Sequence, residues 1–322
     1  MTKPEAAALS AILDRYHSVK AGNVFIVCDA GARTVVSALL FICYIANHAN
    51  LGLKQNLVTY EIESVDPIHM REAVEGQGEY CEGICVDEAF ERICRERLDR
   101  TWKALSRGGK NGVMKDIWEY SNKPRFNTGK PDKEYIVRLP KEMFSNKPKQ
   151  RLDNTTKEPV IKRAFTKVFT DIVDLIDAQI DKASALKLDV TEIILTGGLG
   201  GSPYLHSHLK DIYSSKAISV LQPSGMKPRT AICQGAACKT FAEADGTGAG
   251  PEGHKPIAVT STICRASYGV RFCDYFDEKK HLAKDKYWNE DGGMWMAANQ
   301  MQWYLERVRD PMTRGFWSFA DL

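Results

Sequence analysis

At 322 residues the chain is long enough for two modest domains with cores of their own. Its 43% apolar and 26% charged residues exclude a disordered or fibrous protein, and a net charge of +3 argues against nucleic acid or an acidic membrane as partner. The nine cysteines form no CxxC pair and no secretory signal opens the chain, so reduced thiols in the cytoplasm or nucleus are expected, with no zinc site.

In chain order, Pro4–Lys20 predicts a helix, with Ala7, Ala8, Leu9, Ile12, Leu13 and Tyr16 at helical spacing. Val24–Cys28 predicts a strand that ends in Asp29-Ala-Gly-Ala-Arg-Thr-Val35. Val36–Gln55 then interrupts the pattern; its apolar run, Ala38–Ile45, is too short to span a bilayer. Leu57–Glu63 is the next strand candidate. Gly76–Cys81 predicts a glycine turn before a helix through Val86, Phe90, Ile93, Cys94 and Leu98. Glu91, Arg92, Arg95, Glu96 and Arg97 make a solvated, ion-paired face on it. Cys81 and Cys85 share a helix edge on this reading but have no histidine beside them to complete a metal site. Val113–Phe126 predicts a further helix around a core Trp118, stopped or kinked by Pro124. Asn127–Asn154 is polar, with one strand candidate at Tyr135–Leu139. Glu158–Leu186 carries the strongest helical stripe of the chain, from Ile161 through Phe165, Phe169 and Ile176 to Ile180.

The stretch Thr191–Tyr204 organises the rest. Glu192–Thr196 predicts a strand buried on both faces, running into Gly197, Gly198, Gly200 and Gly201. Bare glycines let backbone amides approach a ligand, and Pro203 suits the first turn of a helix whose N-terminus favours negative charge. The glycines by themselves fit a phosphate cradle and a tight strand-to-helix turn equally. His206 and His208, two apart on the following helix, point to different faces and are expected at the surface. In Arg229–Cys238 the small residues Gly235, Ala236 and Ala237 permit close packing. Residues 241–254 read as a linker and 255–322 as an aromatic, polar extension with a strand candidate at Tyr268–Phe272.

Leu195-Thr-Gly-Gly-Leu-Gly-Gly-Ser-Pro-Tyr-Leu205 resembles the adenosine motif of the heat-shock protein 70 branch of the actin-like ATPase superfamily, in the divergent fungal form GGxGGSPYL. The arginine that the usual form stacks on the base falls on Gly201. Pro4–Leu9 and Arg229–Cys238 are similar to the two helices that cross between the lobes, so the chain reads as starting where a first lobe has ended. Asp29–Val35 resembles the second phosphate loop, DxGGGTxD, with Ala32 and Arg33 in place of two glycines. The resemblance implies an α/β, ribonuclease H-like fold: lobe two of an actin-like ATPase over residues 1–240, with an upper subdomain at about 71–186 and a divergent C-terminal extension. It implies Asp29 as the catalytic carboxylate, orienting water bound to Mg²⁺, and Thr34 beside it. Gly31, Gly197, Gly198, Gly200 and Gly201 would hold ATP or ADP, with Glu119 and Lys123 at the ribose and adenine. For the last two, an exposed ion pair beside Trp118 is an equal alternative on residues alone. Deleting residues 36–55 restores the loop's register, with Asn56 at its second Asp; the segment reads as a genuine insertion or as a retained intron, which RNA reads crossing it uninterrupted would exclude.

Phosphoryl transfer needs charge neutralised from several directions, and no first phosphate loop of the DxGTT kind stands in the chain. The first expectation is a chaperone-like ATPase lobe that binds nucleotide with weak or no hydrolysis, in contact with protein clients or co-chaperones. The second is a non-catalytic remnant acting as a protein-interaction module. An assembly element or sugar kinase of the superfamily comes third. The crossing helices are expected to expose apolar faces.

Overall fold

Strand β1 (Val24–Asp29) is buried at every position, and its side chains divide with period two between two cores. Ile26 and Cys28 join one cluster; Phe25 and Val27 join the other. This computed structural model describes residues 3–31, 57–78, 83–127, 160–244, 257–264, 266–305 and 317–318. Residues 36–55 and the strand candidate Tyr135–Leu139 lie outside them.

The chain divides into two compact units, Met1–Thr260 and Ser261–Leu322. In the first, β1 lies antiparallel to β2 (Leu57–Val65) and parallel to β4 (Val190–Thr196). β3 (Ile68–Gln77) pairs antiparallel with β2, and β5 (Ser219–Leu221) parallel with β4. The mixed sheet runs β6-β3-β2-β1-β4-β5, with β6 at Ala258–Thr262. This is an α/β architecture. The unbroken apolar runs of β1 and Ile193–Leu195 are what a parallel pair covered on both faces requires.

Helices α1 (Lys3–Leu13) and α6 (Lys227–Ala244) lie on the face of Phe25, Val27, Val58, Tyr60, Ile62 and Ile194. A Cβ added at Gly235 of α6 would stand 1.8 Å from the Ala6 carbonyl oxygen, so the glycine permits the close packing expected of it. The pair is also pinned by Lys239 to Glu5 at 2.9 Å and Lys227 to Asp14 at 2.8 Å. Contrary to expectation, α1 exposes no apolar face: Pro4–Ile12 are all buried. It also ends at Leu13, not Lys20, because the chain turns there and Arg15 pairs with both carboxylate oxygens of Glu192 on β4.

The opposite face is covered by α2 (Gly83–Ala104), α4 (Val160–Ala185) and α5 (Pro203–Tyr213). α2 presents the expected ion-paired face, with Arg95 to Glu91 at 2.8 Å, and kinks at Asp99, where φ is 34°. Gly76 differs from expectation. It lies inside β3, and the hairpin partner that β3 gives to β2 was not expected. After a short helix α3 (Arg107–Asn111), Gly112–Asn122 is a π-helix that passes into a helical turn at Lys123–Arg125. His206 and His208 are half-buried, not surface side chains: His206 Nε2 lies 3.2 Å from the Val220 carbonyl. His208 packs on Phe169, where burial lowers its pKa.

α6 continues through Ala244, so the start of the expected linker is helical; residues 245–256 are outside the described set. In the second unit β7 (Tyr268–Tyr275), β9 (Met294–Leu305) and β8 (Lys286–Asn289) form an antiparallel sheet in the order β7-β9-β8. β10 (Trp317–Ser318) pairs with Ser261 and Thr262. No helix among the described residues is long and apolar enough to cross a membrane.

Candidate functional site

Thr196 ends β4 and the chain turns at Gly197 with φ +86°. A Cβ there would sit 2.5 Å from the Ala30 carbonyl oxygen and 2.6 Å from Asp29 Oδ1, so only glycine fits. The contact is a latch between two strand ends. Ala30 N–H donates to the Thr196 carbonyl at 3.0 Å, and the Leu199 and Gly200 amides donate to the Ala30 carbonyl at 2.9 and 3.1 Å. Of these two amides, that of Gly200 was expected to face a ligand, and it is spent inside the protein. Ser202 caps α5, its Oγ accepting from Leu205 N–H, with Pro203 following.

The second component is a charged cluster around Lys123, which is only 7% exposed. Its ammonium donates to Asp87 at 2.7 and 2.9 Å, to Glu119 Oε2 at 2.8 Å and to the Gly83 carbonyl at 3.2 Å. Those partners use all three of its protons. Trp118 Nε1–H also donates to Asp87, at 2.7 Å, while its ring stacks on Phe90 with centroids 3.9 Å apart. Burial raises the Asp87 pKa, and the attraction of Lys123 offsets only part of the shift. Glu119 is half-buried, and its Oε1 makes no hydrogen bond among the described residues. The pair is not an exposed one: Lys123 is the buried centre of a network that holds the π-helix against α2.

The two components meet at a cavity of about 320 Å³, the lower end of the range for small-molecule sites. Glu119, Lys123 and Pro124 line one side, and Gly198, Leu199, Gly201 and Ser202 another; Arg229 at the start of α6 completes it. The four glycines of the motif thus take two roles. Gly197 and Gly200 face protein, Gly200 against Leu195, while Gly198 and Gly201 line the cavity. A carboxylate oxygen, bare backbone and an arginine on three separate elements can accept from hydroxyls, admit a flat group closely and stack on or pair with it.

Asp29 and Gly31 do not line this cavity. Asp29 is buried against Gly197, and the Gly31 carbonyl accepts from Gly83 N–H at 3.0 Å, which ties the end of β1 to the start of α2. Thr34, with Ala32 and Arg33, lies outside the described residues. The Thr196 hydroxyl is buried with no hydrogen-bond partner among the described residues. No cluster of three or more metal-ligating side chains occurs among them.

Sequence reasoning missed Asp87 and Arg229. Asp87 is a carboxylate at the edge of the Val86–Phe90 apolar stripe, and its partner is 36 residues away. Arg229 was legible only as the start of a helix. No family model matches the chain, and no curated protein matches it.

Proposed function

We propose that the first unit is a nucleotide-binding lobe of the actin-like, heat-shock protein 70 type, whose adenosine half is built and whose phosphate half is impaired. The observation that carries this reading is that one cavity is lined by Glu119 and Lys123, from the π-helical segment and the turn after it, and by Gly198 and Gly201 from the turn after β4. These residues come from stretches about 80 positions apart and were singled out by resemblance to one site. Glu119 Oε1 is the open acceptor for ribose hydroxyls; Lys123, with its protons spent, positions Glu119 and does not reach a ligand. Hydrolysis would require the phosphates to lie near Asp29, in a loop carrying Ala32 and Arg33 where the resembling family has glycines. Turnover is accordingly weak or absent.

Titration with Mg²⁺-ATP and ADP, followed by thermal unfolding and calorimetry, tests this. A ligand at 100 times its Kd raises native stability by about 2.7 kcal/mol. Glu119→Gln, which leaves Lys123 on Asp87, is expected to weaken binding about tenfold, since a hydrogen bond to a charged group is worth roughly 1.5–3 kcal/mol. No shift at millimolar nucleotide in a folded chain overturns the reading. The alternative is then a non-catalytic interaction module, favoured by the exposed Trp288, Trp295 and Trp303 of the second unit.

A further inference from the structure

Arg229 occupies the first turn of α6, where a cation opposes the positive end of the helix dipole. Its neighbour Lys227 is neutralised by Asp14, but the Arg229 side chain makes no hydrogen bond or ion pair among the described residues. Helix stability does not account for an arginine here. Residues that break a local rule without local compensation are expected at functional sites, and Arg229 lines the cavity.

The turn at Gly201 lies beside it. A Cβ at 201 would rest 3.7 Å from Pro228 Cβ and 3.6 Å from the Gly198 carbonyl oxygen. The bare turn therefore lies directly against the residue preceding Arg229. Across the cavity the Lys123 charge is consumed by Asp87 and Glu119. Among the described residues, the cavity thus offers one planar cation with no ion-pair partner and one carboxylate oxygen with no hydrogen-bond donor. A guanidinium plane suits the face of an aromatic ring. A phosphate group in the same small space would be repelled by Glu119.

We propose, resting on the nucleotide reading above, that Arg229 stacks on the base of the bound nucleotide and supplies from α6 the guanidinium that position 201 lacks. It is a specificity-determining residue for a ligand with a flat aromatic base, recognised without any phosphate.

The test is calorimetric titration of the full chain, and of its Arg229→Ala and Arg229→Lys variants, with adenosine, ADP and pyrophosphate. Arg229 is exposed, so both variants are expected to fold, and their melting curves check it. Arg229→Ala is expected to weaken adenosine and ADP by the same factor, about tenfold, the scale of a partly desolvated cation–π contact. Arg229→Lys should not restore binding, because an ammonium has the charge but not the plane. If Arg229→Ala leaves adenosine affinity unchanged while the wild type binds it, the stacking role is overturned and the nucleotide reading survives. Loss confined to ADP, matched by loss of pyrophosphate binding and restored by lysine, overturns it in favour of a phosphate contact. If the wild type binds neither adenosine nor ADP, the nucleotide reading itself falls.

Discussion

Asp87 shows how a single carboxylate sets the working state of its neighbours. It accepts from both Lys123 and Trp118 in a partly buried position, and burial raises its pKa above the ordinary carboxylate value of 3.8. In the interval between that value and the raised one, the folded chain binds more protons at Asp87 than the unfolded chain does. Stability from this group is therefore fully present below the ordinary value and falls as pH rises through the interval. Urea midpoints measured across that interval should decline in the wild type, and Asp87→Asn should flatten the decline. The same variant removes a charge that burial disfavours, so by the same linkage it should be no less stable than the wild type at neutral pH. A variant clearly less stable than the wild type at neutral pH would show that Lys123 depends on the charge of Asp87 more than burial disfavours it.

At the scale of elements, the contact between α1 and α6 sets the position of the cavity's third side. Gly235 brings the helices close enough for its missing Cβ to coincide with the Ala6 carbonyl, and Arg229 lies less than two turns earlier on the same helix. Gly235→Ala must separate the helices. It should lower stability by about 1–3 kcal/mol, the usual cost of overpacking, read from urea unfolding, and shift Arg229 along with the helix. An unchanged midpoint would mean that the helices do not pack as described. The small residues of Gly235–Ala237 made this contact legible in the sequence, because only glycine and alanine allow such an approach. The buried strands β1 and β4 were equally legible, since a run of branched apolar residues of that length has few other uses. The π-helix was not: Gly112–Asn122 carries an ordinary helical pattern, and its wider turn shows only in backbone bonds such as Lys123 N–H to the Trp118 carbonyl. The hairpin partner β3 was hidden for a different reason. His69 and Arg71 alternate with the buried Ile68 and Met70 over only four residues before Glu72, a buried charge, breaks the alternation, and Arg71 is placed by ion pairs to Glu61 and Glu63 on the neighbouring strand. Of the site, the glycines, Glu119 and Lys123 could be found by resemblance, whereas Asp87 and Arg229 are defined only by what the fold brings beside them.

For the whole molecule, the distribution of buried apolar surface predicts which part folds by itself. Both hydrophobic clusters belong to Met1–Thr260. In the second unit Tyr268, Val270, Phe272, Tyr275, Trp295 and Trp303 are exposed, and Ala297 is a buried exception. Trp288 and Trp295 meet edge to face at 5.2 Å, and Lys286 Nζ lies 4.6 Å above Phe276 and 4.7 Å above Trp295, but these contacts bury little area. Three strands need a covered apolar face or a packed helix to be stable alone. Residues 1–260 expressed without the remainder are therefore expected to unfold cooperatively, with a midpoint within a few degrees of the full chain, about the shift that 1 kcal/mol produces in a domain of this size. Residues 261–322 alone are expected to show no cooperative transition. The nucleotide-dependent shift should travel with the first fragment, because every residue lining the cavity belongs to it. A first fragment that fails to fold would mean that the two clusters need the second unit for their stability. A first fragment that folds but loses the shift would place part of the ligand's surroundings beyond Thr260.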